Sequence, residues 1–358
     1  MKNLVHSWSL DFNSRFSDKV SNQFLATISK LDDIRGTNSS EFPFIDILDG
    51  SDNNANYMAL GYELFTWNNA VHNTIWNIKD DVTYYLDNHK ITAGLSYEHQ
   101  MADNQYMRNG TGYYRYKSLD DFFQGATPEV VCLTYGYDGE TTPAARVQFN
   151  KAGIYAQDEW NITDKFKLTY GLRVDGLFFN NSDLMTNKAI YDLDYNGRHI
   201  DTGKWPKNSI TFSPRLGFTY DIFGDKSLKV RGGTGLFSGR LPLVFFTNMP
   251  TNGGLVQYQA QLGPSIKYDK LPDAVKAKYS DMSSVMSQFS GGLVTDANGN
   301  ATTQALLDKL VSMGFPNTVS PESGTVPSSI SAVDPKFKMP QVWKTSLAVD
   351  LSYSLIHL

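Results

Sequence analysis

The stretch Phe166-Lys167-Leu168-Thr169-Tyr170-Gly171-Leu172-Arg173-Val174 puts every large apolar side chain at an even position, with Lys, Thr, Gly and Arg at the odd ones. Successive side chains of an extended strand point to opposite faces, so this segment folds as a strand with one apolar face and one wet face. The same period recurs along the whole chain.

Two strands are expected at 4–16, with Trp8, Leu10, Phe12 and Phe16 in phase, and at 20–28, with Val20, Phe24, Ala26 and Ile28 in phase. A long strand at 66–86 carries Trp76, Ile78, Val82, Tyr84 and Leu86, and the next carries Ile91, Ala93, Leu95 and Tyr97 opposite Thr92, Gly94, Ser96 and Glu98. Further strands are expected at 147–162, 166–174, 210–222 and 228–237, and a ninth near Val342 places Trp343, Leu347, Val349 and Leu351 on one face. Short turns, Ser17-Asp18-Lys19, Asp87-Asn88-His89, Thr163-Asp164 and Gly224-Asp225-Lys226, alternate with long connections at 31–65, 102–146, 181–209 and 238–341.

A soluble β-sandwich also alternates apolar and polar residues, but it has little reason to keep this strict order of short and long connections. A transmembrane barrel does, because tight turns lie at one end and long loops at the other. The clean alternation also covers about the 9 to 11 tilted residues needed to span a bilayer. Aromatic residues flank each short turn, among them Phe16, Tyr84, Tyr85, Trp160, Phe166, Tyr220 and Phe223, as in an interfacial girdle. The expected fold class is therefore all-β, an antiparallel up-and-down transmembrane β-barrel segment.

Composition agrees with that class. The chain of 358 residues has 20 Tyr, 21 Phe and 28 Gly, which favours strands and tight turns over helical bundles. A formal net charge of -5 gives no electrostatic footprint for nucleic acid. No run approaches the 18 apolar residues of a membrane helix, a signal that alternating strands never produce. Cys132 is the only cysteine, which rules out an intrachain disulfide.

Catalytic, metal and cofactor sites find no footing. His6, His72, His89, His99, His199 and His357 show no metal-ligand spacing. The adjacent Asp158 and Glu159 lie on opposite faces of a strand and cannot share one acid–base site. Arg231-Gly232-Gly233-Thr234-Gly235 falls inside a strand, where glycine marks a bulge or a close backbone approach rather than a phosphate loop. Gly94, Gly171 and Gly217 all lie on the polar face, where they are expected to leave room inside the barrel. Within the long connections, helices are expected at 273–289 and at 302–313, the latter stopped by Gly314, and Ser118 is expected to cap a helical turn.

Specific residues then carry a family likeness. Gly153-Ile154-Tyr155-Ala156-Gln157-Asp158-Glu159-Trp160, with Gly171-Leu172-Arg173-Val174-Asp175, resembles the mid-barrel hairpin of TonB-dependent outer-membrane receptors. So does Ser213-Pro214-Arg215-Leu216-Gly217-Phe218 followed by the glycine-rich strand. With Arg108-Asn109-Gly110-Thr111-Gly112 and Met339-Pro340-Gln341-Val342-Trp343, the chain is most similar to the Oar-like, carboxypeptidase-regulatory-domain branch of Bacteroidota. The resemblance implies a barrel of about 22 strands with an N-terminal plug, located in the cell outer membrane of a Gram-negative bacterium. It implies import of a large scarce ligand such as an iron chelate, cobalamin, glycan or peptide, driven by TonB with ExbB and ExbD.

The chain departs from that pattern in containing no apolar secretory core, plug or TonB-contacting segment, and in its odd strand count. It ends at Tyr353-Ser354-Leu355-Ile356-His357-Leu358, where a turn into a tenth strand is expected. Residues 1–358 are therefore expected to be an incomplete receptor barrel, with 239–340 as one long extracellular loop. It is expected to be no enzyme, to use no cofactor, and to have outer-membrane lipid as its surroundings. Two other readings are a complete small barrel acting as pore or enzyme, and a secreted soluble β-protein binding polysaccharide through exposed Tyr113, Tyr114 and Tyr116.

Overall fold

The computed structural model describes residues 1–239, 243–327 and 329–352. The segment 353–358, where a turn was expected, lies outside the described residues. The chain opens with β1 (Lys2–Arg15) and β2 (Val20–Ile34), leaves for β3 (Phe44–Leu48) and β4 (Asn56–Leu60), and returns as β5 (Ala70–Tyr85) and β6 (His89–Gln105). It leaves again through β7 (Tyr113–Tyr116), α1 (Leu119–Phe123) and β8 (Val130–Gly136) before β9 (Ala144–Asn161) and β10 (Phe166–Asn180). The third excursion contains α2 (Lys188–Tyr191) and leads to β11 (Ser209–Asp221) and β12 (Leu228–Ser238). The fourth contains α3 (Val244–Thr251), β13 (Gln257–Leu262), α4 (Asp273–Lys276), α5 (Met282–Met286) and α6 (Thr303–Met313), and ends in β14 (Gln341–Leu351).

Nine strands form one antiparallel wall in the order β1-β2-β5-β6-β9-β10-β11-β12-β14, each paired with its neighbour in sequence around the wall. All nine expected strands are present, and the order of short turns and long excursions holds throughout. Among the described residues β1 and β14 form the two free edges. The alternation sorts as anticipated: Ile154, Leu172, Phe212 and Leu347 share one face and stand 48 to 73% exposed. Such a broad exposed apolar face is a membrane contact rather than a soluble surface.

Toward the long-excursion end the phase of the pattern reverses. The face that is apolar below carries the Asp32–His72 pair at 2.6 Å and the Asp103–Arg146 pair at 2.5 Å. The opposite face, polar below, carries Val147 and Phe149 with 1% and 2% exposure. This inversion explains why several strands run past their expected ends: β2 reaches Ile34 and β6 reaches Gln105, where simple alternation no longer marks them. The third strand begins at Ala70 rather than at residue 66, because Thr66 belongs to a turn closed by its hydroxyl donating to Glu63 at 2.5 Å.

The long excursions are not separate loops. β3, β4, β7, β8 and β13 come from three of them and form a second sheet, ordered β13-β8-β7-β3-β4, with β3 and β7 parallel. This sheet packs with α4, α5 and α6 around Tyr114, Tyr116, Leu133, Val275, Phe289 and Leu306. We refer to it as the cap. α6 matches its expectation, with the Thr302 hydroxyl accepting from the Ala305 amide and Gly314 closing it at φ 110°. Ser118 caps α1 in the same way, accepting from Asp121. The single helix expected at 273–289 is instead broken into α4, α5 and a 3-10 turn at Ser287–Phe289, because Asp281 and Ser284 form a capping box that starts a new helix.

Candidate functional site

The polar face of the wall carries a charge network in its middle. Arg173 donates from Nε to Asp175 Oδ2 at 2.8 Å and from Nη2 to Asp175 Oδ1 at 2.7 Å, while the same Nη2 reaches Ser96 Oγ at 2.6 Å. Lys151 Nζ lies 3.9 Å from Asp175, whose residue is only 3% exposed. One strand-pair away, Asp81 takes the ammonium of Lys79 and the hydroxyl of Tyr155. The Arg173 guanidinium sits 5.1 Å from the Tyr155 ring centre, so cation–π contact joins the two clusters. A buried carboxylate held by a bidentate guanidinium is firmly oriented, and breaking such a pair costs more than forming it returns.

Glycine makes this arrangement possible. Gly94 faces Tyr155 across the β6–β9 pair, and a Cβ there would stand 2.6 Å from the phenol carbon Cζ. Gly153 lies opposite Ser96 and Asp175, and a Cβ there would stand 2.5 Å from Arg173 Nη2. The room expected at Gly94 is therefore filled by the chain's own Asp81 carboxylate and Tyr155 phenol. Gly171 is occupied likewise by Gln157 and the Ala156 carbonyl, whereas Gly217 meets only the Gly232 carbonyl at 3.6 Å. In the glycine-rich β12 the register with both neighbours is unbroken, so there is no bulge, and the close approach is that of the Phe218 ring over Gly232.

Above the network, the inverted apolar patch of the wall is sealed by the excursions. Phe246 and Met249 of α3 join Trp205, Ala102 and Val147 in one core, with Phe179 and Phe337 against it. Between this seal and the charge network lies a cavity of about 230 Å³, lined by Glu98, Lys151, Asp175, Thr211, Phe149 and Met339 among others. Its walls combine fixed charges, hydroxyls and apolar surface, the mixture that orients an amphipathic group. Asn187, fully buried, joins the third and fourth excursions by donating from its amide to the carbonyls of Gly253 at 2.9 Å and Thr325 at 2.8 Å. No sequence signal marked Asn187, since its partners are distant backbone carbonyls.

Tyr113, Tyr114 and Tyr116 are not the exposed aromatics expected for a polysaccharide surface. They are 8%, 0% and 1% exposed, because β7 lies in the middle of the cap sheet. Burial pushes the Tyr116 hydroxyl up to about 12, and that hydroxyl has no hydrogen-bond partner among the described residues. Tyr113 donates to Asp46 at 3.0 Å, and Arg115 donates to the same carboxylate oxygen. Burial also raises the Cys132 thiol to about 11, which suits a packing role over a reactive one.

Asp158 and Glu159 face opposite sides as expected. Asp158 accepts from Tyr170 at 2.9 Å and lies 2.7 Å from His89 on the apolar face, while Glu159 pairs with Lys90 and Lys167 on the polar face. Among the described residues no group of three or more His, Cys, Asp or Glu is placed to hold a metal ion.

The outer membrane beta barrel domain family matches residues 2–354. No curated protein matches the chain. Among solved structures, the outer membrane transporter YddB from Escherichia coli is 12% identical with a TM-score of 0.43, over 72% of this chain and 28% of that one. The open form of the ferric-catecholate import receptor Fiu from E. coli K12 is 14% identical with a TM-score of 0.38, over 66% of this chain and 36% of that one. The chain thus spans about a third of the length of the solved transporters it matches. With the match running from the first wall strand to the last, the chain belongs to the outer membrane beta-barrel domain family and is a domain of the Gram-negative outer membrane.

Proposed function

We propose that the chain is the ligand-receiving part of a TonB-dependent outer-membrane receptor, of the Oar-like branch, that imports a large scarce ligand with energy delivered through TonB, ExbB and ExbD. The observation that carries this reading is the asymmetry of the wall. One end has only tight turns, while at the other three excursions merge into a single folded cap above a polar, charge-lined face. A passive pore needs no such cap, and among the described residues the polar face brings together no convergent catalytic group. In this reading the cap faces the cell exterior and the short turns face the periplasm.

The cap selects the ligand, and the polar wall with its cavity beside Lys151 and Asp175 receives it on the way in. Energy coupling belongs to the whole protein. The test is uptake by cells expressing the whole protein, offered a panel of ferric siderophores, cobalamin, oligosaccharides and peptides. Accumulation of one panel member that vanishes in a strain lacking TonB is the expected result. Equal accumulation with and without TonB sinks the active-import reading.

A further inference from the structure

The apolar face of the wall has a groove of about 590 Å³. Its floor is formed at Ala152 of β9, opposite Gly176 of β10, over which the Phe178 ring lies. Ile78, Leu95, Ile154, Val174, Phe178 and Ile210 wall it. These residues belong to β5, β6, β9, β10 and β11, so the groove crosses four strand spacings, about 19 Å, with β9 at its centre. Asp80 borders one side and is held by the Asn22 amide at 2.5 Å.

Depth in the membrane follows from the register. His89 pairs with Trp160 beside the short turns, their rings stacked at 5.3 Å, and His99 pairs with Asn150 ten residues further along. Ten residues at about 3.3 Å each, tilted about 40°, rise about 25 Å, the height of a barrel's apolar band. The His99–Asn150 rung therefore marks the far boundary of the hydrocarbon, and the groove lies just inside it. At that rung Asn150 Oδ1 accepts from Tyr97 at 2.8 Å and from His99 Nδ1 at 2.8 Å. This orients the Asn150 amide and leaves its Nδ2 hydrogens without a protein partner among the described residues. A donor at the edge of hydrocarbon requires an acceptor, and the carbonyls of lipid esters lie at that depth.

We propose that this groove binds one acyl chain of an ester-linked membrane lipid, in the leaflet on the cap side, with the lipid ester carbonyl accepting from Asn150 Nδ2. Hydrocarbon is what surrounds this face in the outer membrane, so the groove is continuous with an existing lipid contact. The larger side chains around Ala152 give one chain lateral contact as well as a floor. Tyr97 and His99 fix the amide that reads the chain's head.

The experiment uses the whole protein, purified in detergent, stripped of lipid, and incubated with dioleoyl phosphatidylglycerol or its ether-linked counterpart, which lacks the carbonyls. Native mass spectrometry counts the lipid retained. The wild type is expected to hold one ester lipid in preference to the ether lipid by about fivefold or more. Asn150→Leu is expected to lose that preference while still retaining lipid. Ala152→Phe, which fills the floor, is expected to lower retention of both lipids by about fivefold or more, with Leu216→Phe elsewhere on the same face unchanged. Heat-modifiable gel mobility identifies folded variants, and Asn150→Leu carries the test if Ala152→Phe does not fold. Equal retention by the wild type and a folded Ala152→Phe overturns the groove assignment, and equal retention of ester and ether lipid by the wild type overturns the role of Asn150.

Discussion

Phe246 meets the Trp205 indole edge-on, with ring centres 6.1 Å apart and planes at 80°, and this contact joins the third and fourth excursions over the inner face of the wall. Phe246 also packs on Phe179 at 5.3 Å and on Phe337 at 5.7 Å, so one side chain holds wall, helix and the return segment together. Truncating a buried Phe to Ala costs about 3 to 5 kcal/mol through lost transfer energy and the cavity left behind. Because the strand ladder does not depend on this ring, the cost should appear as local opening. Amides of α3 in Phe246→Ala are expected to exchange hydrogen on the order of a hundredfold faster than in the wild type, with wall amides unchanged. Uniform exchange rates across the two proteins would show that α3 is not held by this core.

Gly94 is expected to tolerate no side chain. A Cβ there meets the Tyr155 phenol at 2.6 Å, and a branched residue displaces both Tyr155 and the Asp81 carboxylate it binds. Overpacking of this kind costs about 1 to 3 kcal/mol. Gly94→Val should lower the temperature at which the barrel form converts to the unfolded form on gels, and the double variant Gly94→Val, Tyr155→Ala should recover part of it. No recovery would mean that Gly94 accommodates the Asp81 carboxylate, which a Cβ also meets, rather than the ring.

Tyr116 sets an alkaline limit on the cap. Its hydroxyl titrates near 10 in an unfolded chain and is pushed up to about 12 by burial. Between those values the unfolded state binds fewer protons than the folded one, so stability is fully present below pH 10 and falls as pH rises toward 12. The two-unit difference amounts to about 3 kcal/mol at most. Tyr114, Tyr135 and Tyr258 are raised by burial as well, so Tyr116→Phe should delay alkaline unfolding of the cap without abolishing it. At neutral pH the same variant should be neutral or stabilising by about 1 kcal/mol, since it removes a buried hydroxyl with no partner. Near-ultraviolet circular dichroism against pH checks both signs.

The wall was legible because its two faces meet different solvents, and residues 166–174 show that contrast at every position. Legibility failed where the contrast reversed. Above the membrane boundary Arg146 and Asp103 stand on the face that Ile154 and Leu95 occupy below, so alternation read from one end no longer reports which side is buried. The cap was hidden for a different reason. β8 is buried on both faces, leaving Val131, Cys132, Leu133, Thr134 and Tyr135 without a period, and its sheet is assembled from segments as distant in sequence as Phe44 and Leu262. Tyr113, Tyr114 and Tyr116 looked like a binding surface for the same reason, since burial within a non-local sheet leaves no local mark. The charge network was partly legible: its residues lie in the two hairpin motifs, but pairing Gly153 with Asp175 and Tyr155 with Arg173 needs the register of β9 against β10.

Cys132 provides an independent report on cap opening. The thiol is buried beside Tyr113 in the cap sheet and raised to about 11, so little thiolate is available at neutral pH. A thiol reagent is expected to label the folded protein at neutral pH at least on the order of a hundredfold more slowly than the denatured chain. Phe246→Ala should leave that rate unchanged, because its core and that of Cys132's sheet are separate clusters. Faster labelling in that variant would show that the seal and the cap open as one unit.

The free edges of the wall limit what residues 1–358 do alone. β1 and β14 each offer a row of backbone donors and acceptors with no partner among the described residues, 14 and 11 residues long. In hydrocarbon an unpaired peptide group costs several kcal/mol, and in water an open apolar edge seeds association. Trp8, Leu10 and Phe12 on one edge strand and Trp343 and Leu347 on the other are all more than half exposed, which adds a hydrophobic drive to the unpaired ladder. The isolated 358-residue polypeptide is therefore expected to aggregate or form edge-paired oligomers on refolding into detergent, and not to conduct or import ligand. Recovery of a monomer with heat-modifiable mobility and ligand uptake would show instead that the two edges satisfy each other within one chain.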